Sequence, residues 1–262
     1  MNEHTTATPS LATTAEVRML GLAGLPSLAK QPMVEEILPF TVRLVRDQQD
    51  LTKAVDIRQS AYARHLPEFA ETLRVPESTD AQDGVVVLLA ESKLDGSALG
   101  TMRIQTNRSA PLSLEQSIDL PDWLRVRPLA QAARLGVTDA KSGRMVKTVL
   151  FKAFYQFCQQ TGIEWIVIAA RAPIDRQYQR LLFSDVIPGM GFTPLLQANN
   201  IPHRVLSFEV GSAQRRWAEA NHPLFDFIFR TNHPDIQLGS GPQFHRPGNA
   251  NLNFIAAPAM VM

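Results

Sequence analysis

Apolar and polar residues alternate along the first half of the chain with the periods of strands and helices. Residues 40–45 follow the two-residue period of a half-buried strand, and residues 49–65 place apolar side chains at helical spacing. Residues 85–90 form an apolar run of valine, leucine and alanine, typical of a strand buried on both faces. Residues 94–97 then predict a turn and residues 98–106 a second strand, which together make a β-hairpin.

The second half of the chain continues the pattern after an intervening loop over residues 107–127. It predicts in turn a strand, a helix, a strand, a helix and a strand, over residues 129–137, 143–160, 165–170, 175–184 and 203–210. The first of these helices has one continuous apolar face, and Gly162 is placed to end it. Hairpins mixed with βαβ units predict an α+β domain with a mixed sheet over residues 35–238, not a doubly wound one.

Both ends of the chain lack a regular period. Residues 1–34 are rich in Thr, Ala and Pro and predict a flexible arm, and residues 239–262 predict an irregular tail. The apolar stretch at 19–29 is interrupted by Pro26 and is much shorter than the roughly 20 residues that span a bilayer. With no secretory signal pattern, we expect a cytoplasmic protein without integral membrane association. Just before the tail, the apolar run from Trp217 to Phe229 favours core packing, with the lining or cover of an apolar tunnel as the alternative.

Charge and cysteine content narrow the classes of function. The net charge is +1, which gives no reason to expect a nucleic-acid partner. The single cysteine, Cys158, excludes an internal disulfide and a multi-cysteine metal site, and its aromatic neighbours favour core packing. His222 and His233 each lie in an Asn-His-Pro triplet, which favours turn and cap chemistry over metal binding. No metal site is predicted.

Residues 130–144 are the most informative segment, because a strand runs through a short loop into the strongest helix. Free N–H groups at a helix start bind phosphate or pyrophosphate, and basic side chains strengthen such a site. The residues that would form this cradle are Lys141, Gly143, Arg144 and Lys147. A solvated helix start with scattered charge is the alternative, since the loop has one glycine and no Walker pattern.

The order of elements and this loop resemble the GNAT acyltransferase superfamily. In that family a strand leads through a phosphate-binding loop into a helix, and it splays from the following strand to hold pantetheine. Residues 129–137 and 165–170 would be these two strands. The family's loop pattern is reduced here, since Gly143 remains and Met145 fills the second small position. The tyrosine that often precedes the Gly191-Phe192 pair in the family is replaced by Ile187.

Four short segments, in the right order over about residues 40–210, resemble acyl-homoserine lactone synthases and long-chain N-acyl amino acid synthases. They are Arg58 with Tyr62 and His65 on the first helix, Asp80-Ala81-Gln82-Asp83, Gly100-Thr101-Met102-Arg103-Ile104-Gln105-Thr106, and Ala133-Arg134-Leu135-Gly136-Val137. The resemblance implies substrate contacts from Arg58 and Tyr62, and catalytic roles for Asp80, Asp83, Arg103 and Arg134. It also implies that the backbone of Leu135, Gly136 and Val137 holds the thioester donor.

The resemblance implies a fold and an activity. The fold would be a three-layer GNAT-type acyl-CoA N-acyltransferase fold, with a central mixed, mostly antiparallel sheet flanked by helices. The activity would be transfer of a medium or long acyl chain from coenzyme A or an acyl carrier protein to a small amine such as an amino acid. The pantetheine thioester would be a co-substrate, with no permanently bound cofactor. An acetyl-CoA-dependent acetyltransferase and an inactive acyl-binding domain are the alternatives.

One departure bears on the mechanism. The lactone synthases carry glutamate three residues before the arginine that Arg134 matches, and Gln131 stands there in this chain. An amine nucleophile must lose a proton, and a glutamine cannot accept it, so Gln131 would only position the substrate or a water. Glu91, Asp80, Asp83 or an ordered water remain as candidates for the base.

Two arginines in predicted strands require partners, because an unpaired buried charge is costly. We expect Arg103 and Arg134 to pair with Asp80 and Asp83 beside the acceptor pocket. The two aspartates could instead cap a turn, and either arginine could bind the carboxylate of an amino-acid acceptor.

Overall fold

The computed structural model describes residues 33–138 and 141–239. Within them, strands pair into a central sheet in the order β11-β2-β3-β4-β5-β6-β9-β7, with β8 attached to β9 and a separate pair β1-β10. The strands are β1 (Val34–Glu35), β2 (Phe40–Leu44), β3 (Val85–Ser92), β4 (Ala98–Thr106), β5 (Leu129–Val137), β6 (Trp165–Ala170), β7 (Ser184–Asp185), β8 (Thr193–Pro194), β9 (Pro202–Glu209), β10 (Thr231–Asn232) and β11 (Ile236–Gln237). In the central sheet only β11-β2 and β5-β6 are parallel, so it is mixed and mostly antiparallel as predicted.

Helices cover both faces of this sheet. They are α1 (Gln48–Ala63), α2 (Pro67–Glu71), α3 (Asp122–Arg125), α4 (Gly143–Thr161), α5 (Asp175–Arg180), α6 (Ala213–Glu219) and α7 (Phe225–Phe229). Alternate side chains of β3 divide between them: Val87 and Leu89 pack with α1, whereas Leu88 and Ala90 join the core that contains α4. Because successive strand residues face opposite sides, α1 and α4 sandwich the sheet. The three-layer arrangement predicted from the sequence is confirmed.

None of the helices in the described ranges combines the length and the apolar character that a membrane span requires.

Some boundaries differ from the predictions. The helix predicted over 175–184 ends at Arg180, because Leu182 adopts a left-handed φ of 66° and the chain then pairs with β9 as β7. The predicted loop 107–127 contains a 3-10 turn at Ser113–Gln116 and the helix α3. It stays attached because its leucines form a second apolar cluster beside β6 and β9.

The segments predicted as a flexible arm and an irregular tail lie almost wholly outside the described residues and stay predictions; Val34 belongs to β1. The C-terminal aromatic run is core in the structure. Trp217 is 1% exposed and stacks on Phe151 of α4, and the neighbouring aromatics pack against the same cluster.

Two irregularities in β5 shape the centre of the molecule. The register between β4 and β5 shifts between Thr101 and Arg103, and Arg134 has a left-handed φ of 54°, which together mark a β-bulge. On its other side, β5 pairs with β6 only from Leu129 to Ala132. Beyond that point the two parallel strands separate, and a cavity lies between them.

Candidate acyl-transfer site

A cavity of about 310 Å³ lies where β5 and β6 separate. Residues 132–137 of β5 form one wall, and Ala169 and Ala170 at the end of β6 form the facing one. The end of α1 and the turn after it close one side, and α5 with the start of β9 closes another. Helix α1 approaches β5 closely because Gly136 has no side chain: a Cβ there would lie 3.1 Å from the Cβ of Ala61.

The charge of this cavity is one-sided. Arg64, Arg134, Lys147 and Arg171 line it, and no carboxylate does so among the described residues. Arg64 donates a hydrogen bond to the carbonyl of Val137 at 2.7 Å, which ties the turn after α1 to the end of β5. A pocket bordered by cations in this way favours an anionic ligand, or one with an anionic group at its entrance.

The edge of β5 that faces the gap offers backbone groups to a ligand. Residues 133–137 stay bonded to β4 on one side but have no strand partner on the β6 side within the described residues. Unpaired amide and carbonyl groups of a strand edge are strong hydrogen-bonding sites. The predicted donor-holding residues Leu135, Gly136 and Val137 all lie in this wall.

Helix α4 begins next to the same edge. A Cβ on Gly143 would lie 2.3 Å from the carbonyl oxygen of Thr138, so only glycine fits where the chain turns from the strand into the helix. Ser142 at the N-cap makes no side-chain hydrogen bond to the first turn of the helix. Lys141 and Arg144 are exposed, and Lys147 donates to Oε1 of Gln177 at 2.7 Å. Burial, followed by the charge of Arg144, lowers the pKa of Lys147.

A buried ion-pair network, here called the arginine cluster, lies behind the wall formed by Arg134. It consists of Arg58, Arg103, Arg134, Glu77 and Asp80. Arg58 is bidentate on Asp80 at 2.9 and 3.0 Å, and Arg134 is bidentate on Glu77 with both contacts at 2.7 Å. Arg103 bridges the two carboxylates at 3.0 and 3.3 Å. Three guanidiniums face two carboxylates, so the cluster carries one excess positive charge.

The carboxylates of the arginine cluster remain ionised despite their surroundings. Burial opposes their ionisation, but hydrogen bonds and charges from the arginines outweigh it and hold the pKa of Glu77 and of Asp80 below its usual range. Burial, together with the neighbouring cations and anions, leaves the pKa of the Tyr62 phenol above its ordinary value. Tyr62 therefore stays protonated at the edge of the cavity.

The pairing predicted for Asp83 is wrong. Asp83 is exposed and has no hydrogen bond or ion pair to another described residue, while Glu77 takes the second carboxylate position. The backbone explains the choice, since Glu77 is the N-cap of a 3-10 turn at Ser78–Ala81 and Asp80 is its third residue, and the Glu77 amide donates to Asp80 Oδ2 at 2.9 Å. This turn directs both side chains inward. The Glu-x-x-Asp spacing of a capping box was the sequence signal for Glu77.

Gln131 does not line the cavity. Its side chain is 1% exposed, and its Oε1 accepts a hydrogen bond from the Leu114 amide at 3.3 Å, beneath the 3-10 turn of the long loop. It is absent from the cavity wall because that wall starts at Ala132, where β6 separates. In the described residues Gln131 therefore makes a structural contact, and its role in positioning the acceptor or a water stays a prediction.

The candidate bases Glu91, Asp80 and Asp83 are also not among the residues that line the cavity. Glu91 is held by Arg43 and, at 2.6 Å, by Lys53, on the far side of α1. Arg58 and Arg103 lie behind the wall, so of the predicted catalytic and substrate-binding residues only Arg134 and Tyr62 reach the cavity.

The two Asn-His-Pro histidines have separate structural contacts. His222 packs on the Trp217 ring, with centroids 3.9 Å apart, and His233 lies within 2.8 Å of Lys152 Nζ. The described residues contain no group of three potential ligands of the kind that would hold a metal ion.

The mixed sheet between two helical layers, the β-bulge at Arg134 and the splay of two parallel strands define a GNAT-like acyltransferase fold. No protein-family model matches the chain, and no curated protein matches it.

Solved structures with this fold include the N-acyl amino acid synthase FeeM from uncultured soil microbes. It is 16% identical, with a TM-score of 0.55 over 69% of this chain and 96% of FeeM. The CoA-dependent acyl-homoserine lactone synthase BjaI, with SAM and isopentyl-CoA, is 15% identical, with a TM-score of 0.50 over 79% of this chain and 97% of BjaI. At such identities the likeness shows a shared fold. The predicted resemblance to the GNAT acyltransferases is thereby confirmed.

Proposed function

We propose that this chain is an N-acyltransferase that moves a medium or long fatty acyl group from a pantetheine thioester to the amine of an amino acid or similar metabolite. The observation that carries the proposal is the cation-lined cavity at the splay of β5 and β6, directly beside the uncapped start of α4. A thioester on a phosphopantetheine arm needs both features, a slot with free backbone groups and a site for phosphate.

The donor would lie along the free edge of β5, with its phosphate at the start of α4. Successive amides of a strand point to opposite edges, and the Thr138 amide donates to Leu99 of β4. The amides of Leu135 and Val137 are therefore the groups that can polarise the thioester carbonyl and stabilise the negative charge that develops on its oxygen. Lys141, Arg144 and Lys147 add positive charge around the phosphate. Coenzyme A and an acyl carrier protein both carry this arm, and the thioester is a co-substrate with no permanent cofactor. Of the structures with this fold, FeeM is an N-acyl amino acid synthase and BjaI is a CoA-dependent acyl-homoserine lactone synthase.

The acceptor would enter from the side of α1 and β9. Arg134 uses its Nε and one terminal nitrogen on Glu77, which leaves Nη1 without a hydrogen bond among the described residues. Nη1 of Arg171 donates a 3.5 Å hydrogen bond to the carbonyl of Ala172, and its guanidinium has no ion pair among the described residues. These two guanidiniums can bind the carboxylate of an amino acid, while Phe69 and Leu66 give the wall an apolar part for the acyl chain. A cytoplasmic location, where such donors are made, belongs to the same proposal.

One observation favours a second candidate function. At about 310 Å³ the cavity is at the small end of the range for ligand pockets, which suits acetyl-CoA better than a long acyl donor. An acetyltransferase with the same site is therefore the second candidate.

The test is transfer by the purified protein from acetyl-, octanoyl- and palmitoyl-CoA and the matching carrier-protein thioesters to a mixture of amino acids. Mass spectrometry identifies the amides, and a chromogenic thiol reagent follows the released thiol. Cys158 is buried and its burial raises the pKa of its thiol well above the ordinary value, so it does not contribute signal.

A cavity-filling variant provides the control. Ala169→Phe places a ring in the cavity wall and should abolish transfer, whereas Ala218→Phe, at an exposed position of α6, should leave it unchanged. Acetylated products alone would select the second candidate. A folded wild-type protein that forms no amide with any donor would reject both functions and leave an acyl-binding domain.

A further inference from the structure

The cavity lacks an acidic residue for deprotonating an amine, yet an ammonium group must lose a proton before its nitrogen can attack. Among the described residues in its wall, two carry an imidazole side chain, His65 and His203. Tyr178 also lines the cavity, but burial raises its pKa to about 12. The search for a base therefore narrows to these two rings.

The backbone fixes the tautomer of His203. Its Nδ1 lies 2.6 Å from the carbonyl oxygen of Ile201, and a carbonyl can only accept, so Nδ1 carries the hydrogen. In the neutral ring Nε2 is then the basic nitrogen. Nε2 makes no hydrogen bond to a described residue, and it is not among the buried atoms that lack a partner, so it retains access to the cavity or solvent.

The position of His203 suits a group that works on the reacting centre. It is the second residue of β9, where the strand passes the end of β6, and its neighbour Arg204 pairs with Ala170 of the cavity wall. The facing wall is the free edge of β5, along which the thioester is proposed to lie. His65, by contrast, is exposed in the turn after α1.

Burial and the neighbouring positive charges keep the His203 ring unprotonated. Burial lowers its pKa, the hydrogen bond to Ile201 opposes this, and the positive charges of Arg171 and Arg134 lower it further. Arg204 is turned to Asp185 and Asp175 and is satisfied there. The pKa of His203 therefore lies below the ordinary value of about 6.5, and the ring is a free base at neutral pH.

We infer that Nε2 of His203 is the general base of the proposed transfer, taking the proton from the acceptor ammonium directly or across one water. This inference rests on the function proposed above. The neutral amine attacks the thioester carbonyl carbon, the C–N bond forms and the C–S bond breaks. The attacking nitrogen loses its second proton to solvent as the amide forms. The thiolate leaves with the sulfur electron pair and takes the proton from the imidazolium, which restores the neutral ring, so the products are an amide, a thiol and one released proton.

The decisive variant is His203→Asn, because the asparagine amide can still donate to Ile201 while Nε2 is removed. We expect kcat/KM at neutral pH to fall by about 100- to 10,000-fold, the usual contribution of a general base, with donor affinity unchanged. The wild-type profile should rise with pH through a pKa below about 6.5 and then level off. The variant should lose this step and rise about tenfold per pH unit towards the pKa of the amine.

An acceptor analogue whose nitrogen is already neutral at the assay pH distinguishes chemistry from folding. It should react nearly as fast with His203→Asn as with the wild type, since no proton must be removed beforehand. His65→Gln should keep the wild-type pH profile. The inference is overturned if His203→Asn keeps the wild-type rate and profile, or if His65→Gln loses the acid step instead.

Failure of the inference and failure of the proposed function have different results. A wild-type protein that forms amides, together with an equally active His203→Asn variant, rejects only the role of His203. A folded wild-type protein that forms no amide rejects the acyl transfer and the base with it.

Discussion

The arginine cluster places more positive than negative charge in a buried site. Asp80 has no exposed side-chain surface and accepts hydrogen bonds from Arg58, Arg103 and the Glu77 amide. Removing one carboxylate would leave guanidiniums buried without compensation, which is more costly than losing one exposed ion pair. The two aspartates of the Asp-x-x-Asp segment should therefore respond very differently to the same substitution.

We expect Asp80→Asn to lower the free energy of unfolding by about 3–5 kcal/mol, because an uncompensated charge stays in the core. Asp83→Asn is the matched control, exposed and unpaired, and should change it by less than about 0.5 kcal/mol. Urea denaturation at neutral pH measures both. Equal effects of the two variants would show that the cluster does not hold Asp80 as described.

The same pair of variants tests how acid changes the stability of the protein. The folded pKa of Asp80 is lowered, so its contribution to stability is present above the ordinary value of about 4 and is lost as the pH falls through the folded value. Asp80→Asn should therefore lose less stability between pH 5 and pH 3 than the wild type does. A variant curve that runs parallel to the wild-type curve would contradict this.

For individual residues, the sequence predicted which arginines are important better than it predicted the carboxylates that they pair with. Arg103 and Arg134 were predicted to pair with Asp80, whereas Arg58 was predicted only as a substrate contact. Asp83 was predicted in the place that Glu77 takes, because the direction of both side chains depends on a short 3-10 turn that has no periodic signal. The sequence did not identify His203 as a candidate functional residue, because it occupies one polar position in a strand with alternating apolar and polar residues. Its cavity-facing role arises from where β6 separates from β5, which no local pattern encodes.

Among the elements, α4 carries a charged residue in its buried face. Lys152 has no exposed surface, and its Nζ donates to the carbonyls of Phe227 and Thr231 at 2.7 and 2.5 Å and lies 2.8 Å from His233 Nδ1. It therefore fixes α7 and β10 to the long helix. Burial lowers its pKa to about 8, with the charge of Glu36 acting in the opposite direction.

This lysine predicts an increase of stability with pH. Between about pH 8 and 10.5 the unfolded chain still holds a proton that the folded chain has released, so raising the pH favours folding. Relative to Lys152→Met, the wild type should gain up to about 3 kcal/mol across this window, as measured by denaturant unfolding. The comparison removes the titration of all other groups. A constant difference between the two proteins would mean that Lys152 titrates normally.

The larger elements were predictable because periodicity and end signals are local. Gly162 has the left-handed φ of 69° expected of a residue that ends a helix, and β3, β4, β5 and β6 lie within a few residues of their predicted ranges. The short strands β1, β7, β8, β10 and β11 were missed, since two residues give no period. They form only because distant segments supply their partners, which is tertiary information.

For the whole molecule, charge is balanced overall but not locally. The chain has a net charge of +1, while Arg64, Lys141, Arg144, Lys147 and Arg171 lie around the cavity and the start of α4. An acidic carrier protein would be guided to this side by long-range attraction, and salt would screen it. Coenzyme A depends more on close contacts at the helix start, which salt screens less.

If a carrier protein is the physiological donor, its KM should rise more steeply with salt than the KM of the matching acyl-CoA. Arg144→Glu, at an exposed position of α4, should raise the carrier KM several-fold, with kcat little changed. Arg46→Glu is the control. It also reverses an exposed charge, but Arg46 precedes the N-terminal end of α1, whereas the cavity lies at the C-terminal end. Parallel salt dependence for both donors, or equal effects of the two variants, would count against carrier docking at this face.

Two parallel strand pairs, one at the edge of the central sheet and one separate from it, have a consequence for the order in which the protein is made. β1 pairs with β10 and β2 with β11, and the Leu38 amide bonds to Asp235, 197 residues further along. On the ribosome the early strands emerge long before their partners exist, so the open side of β2 must wait for the last part of the domain. Among the described residues, these contacts span the greatest separation along the chain. They can form only after residues 231–237 have been synthesised, so the domain is completed late.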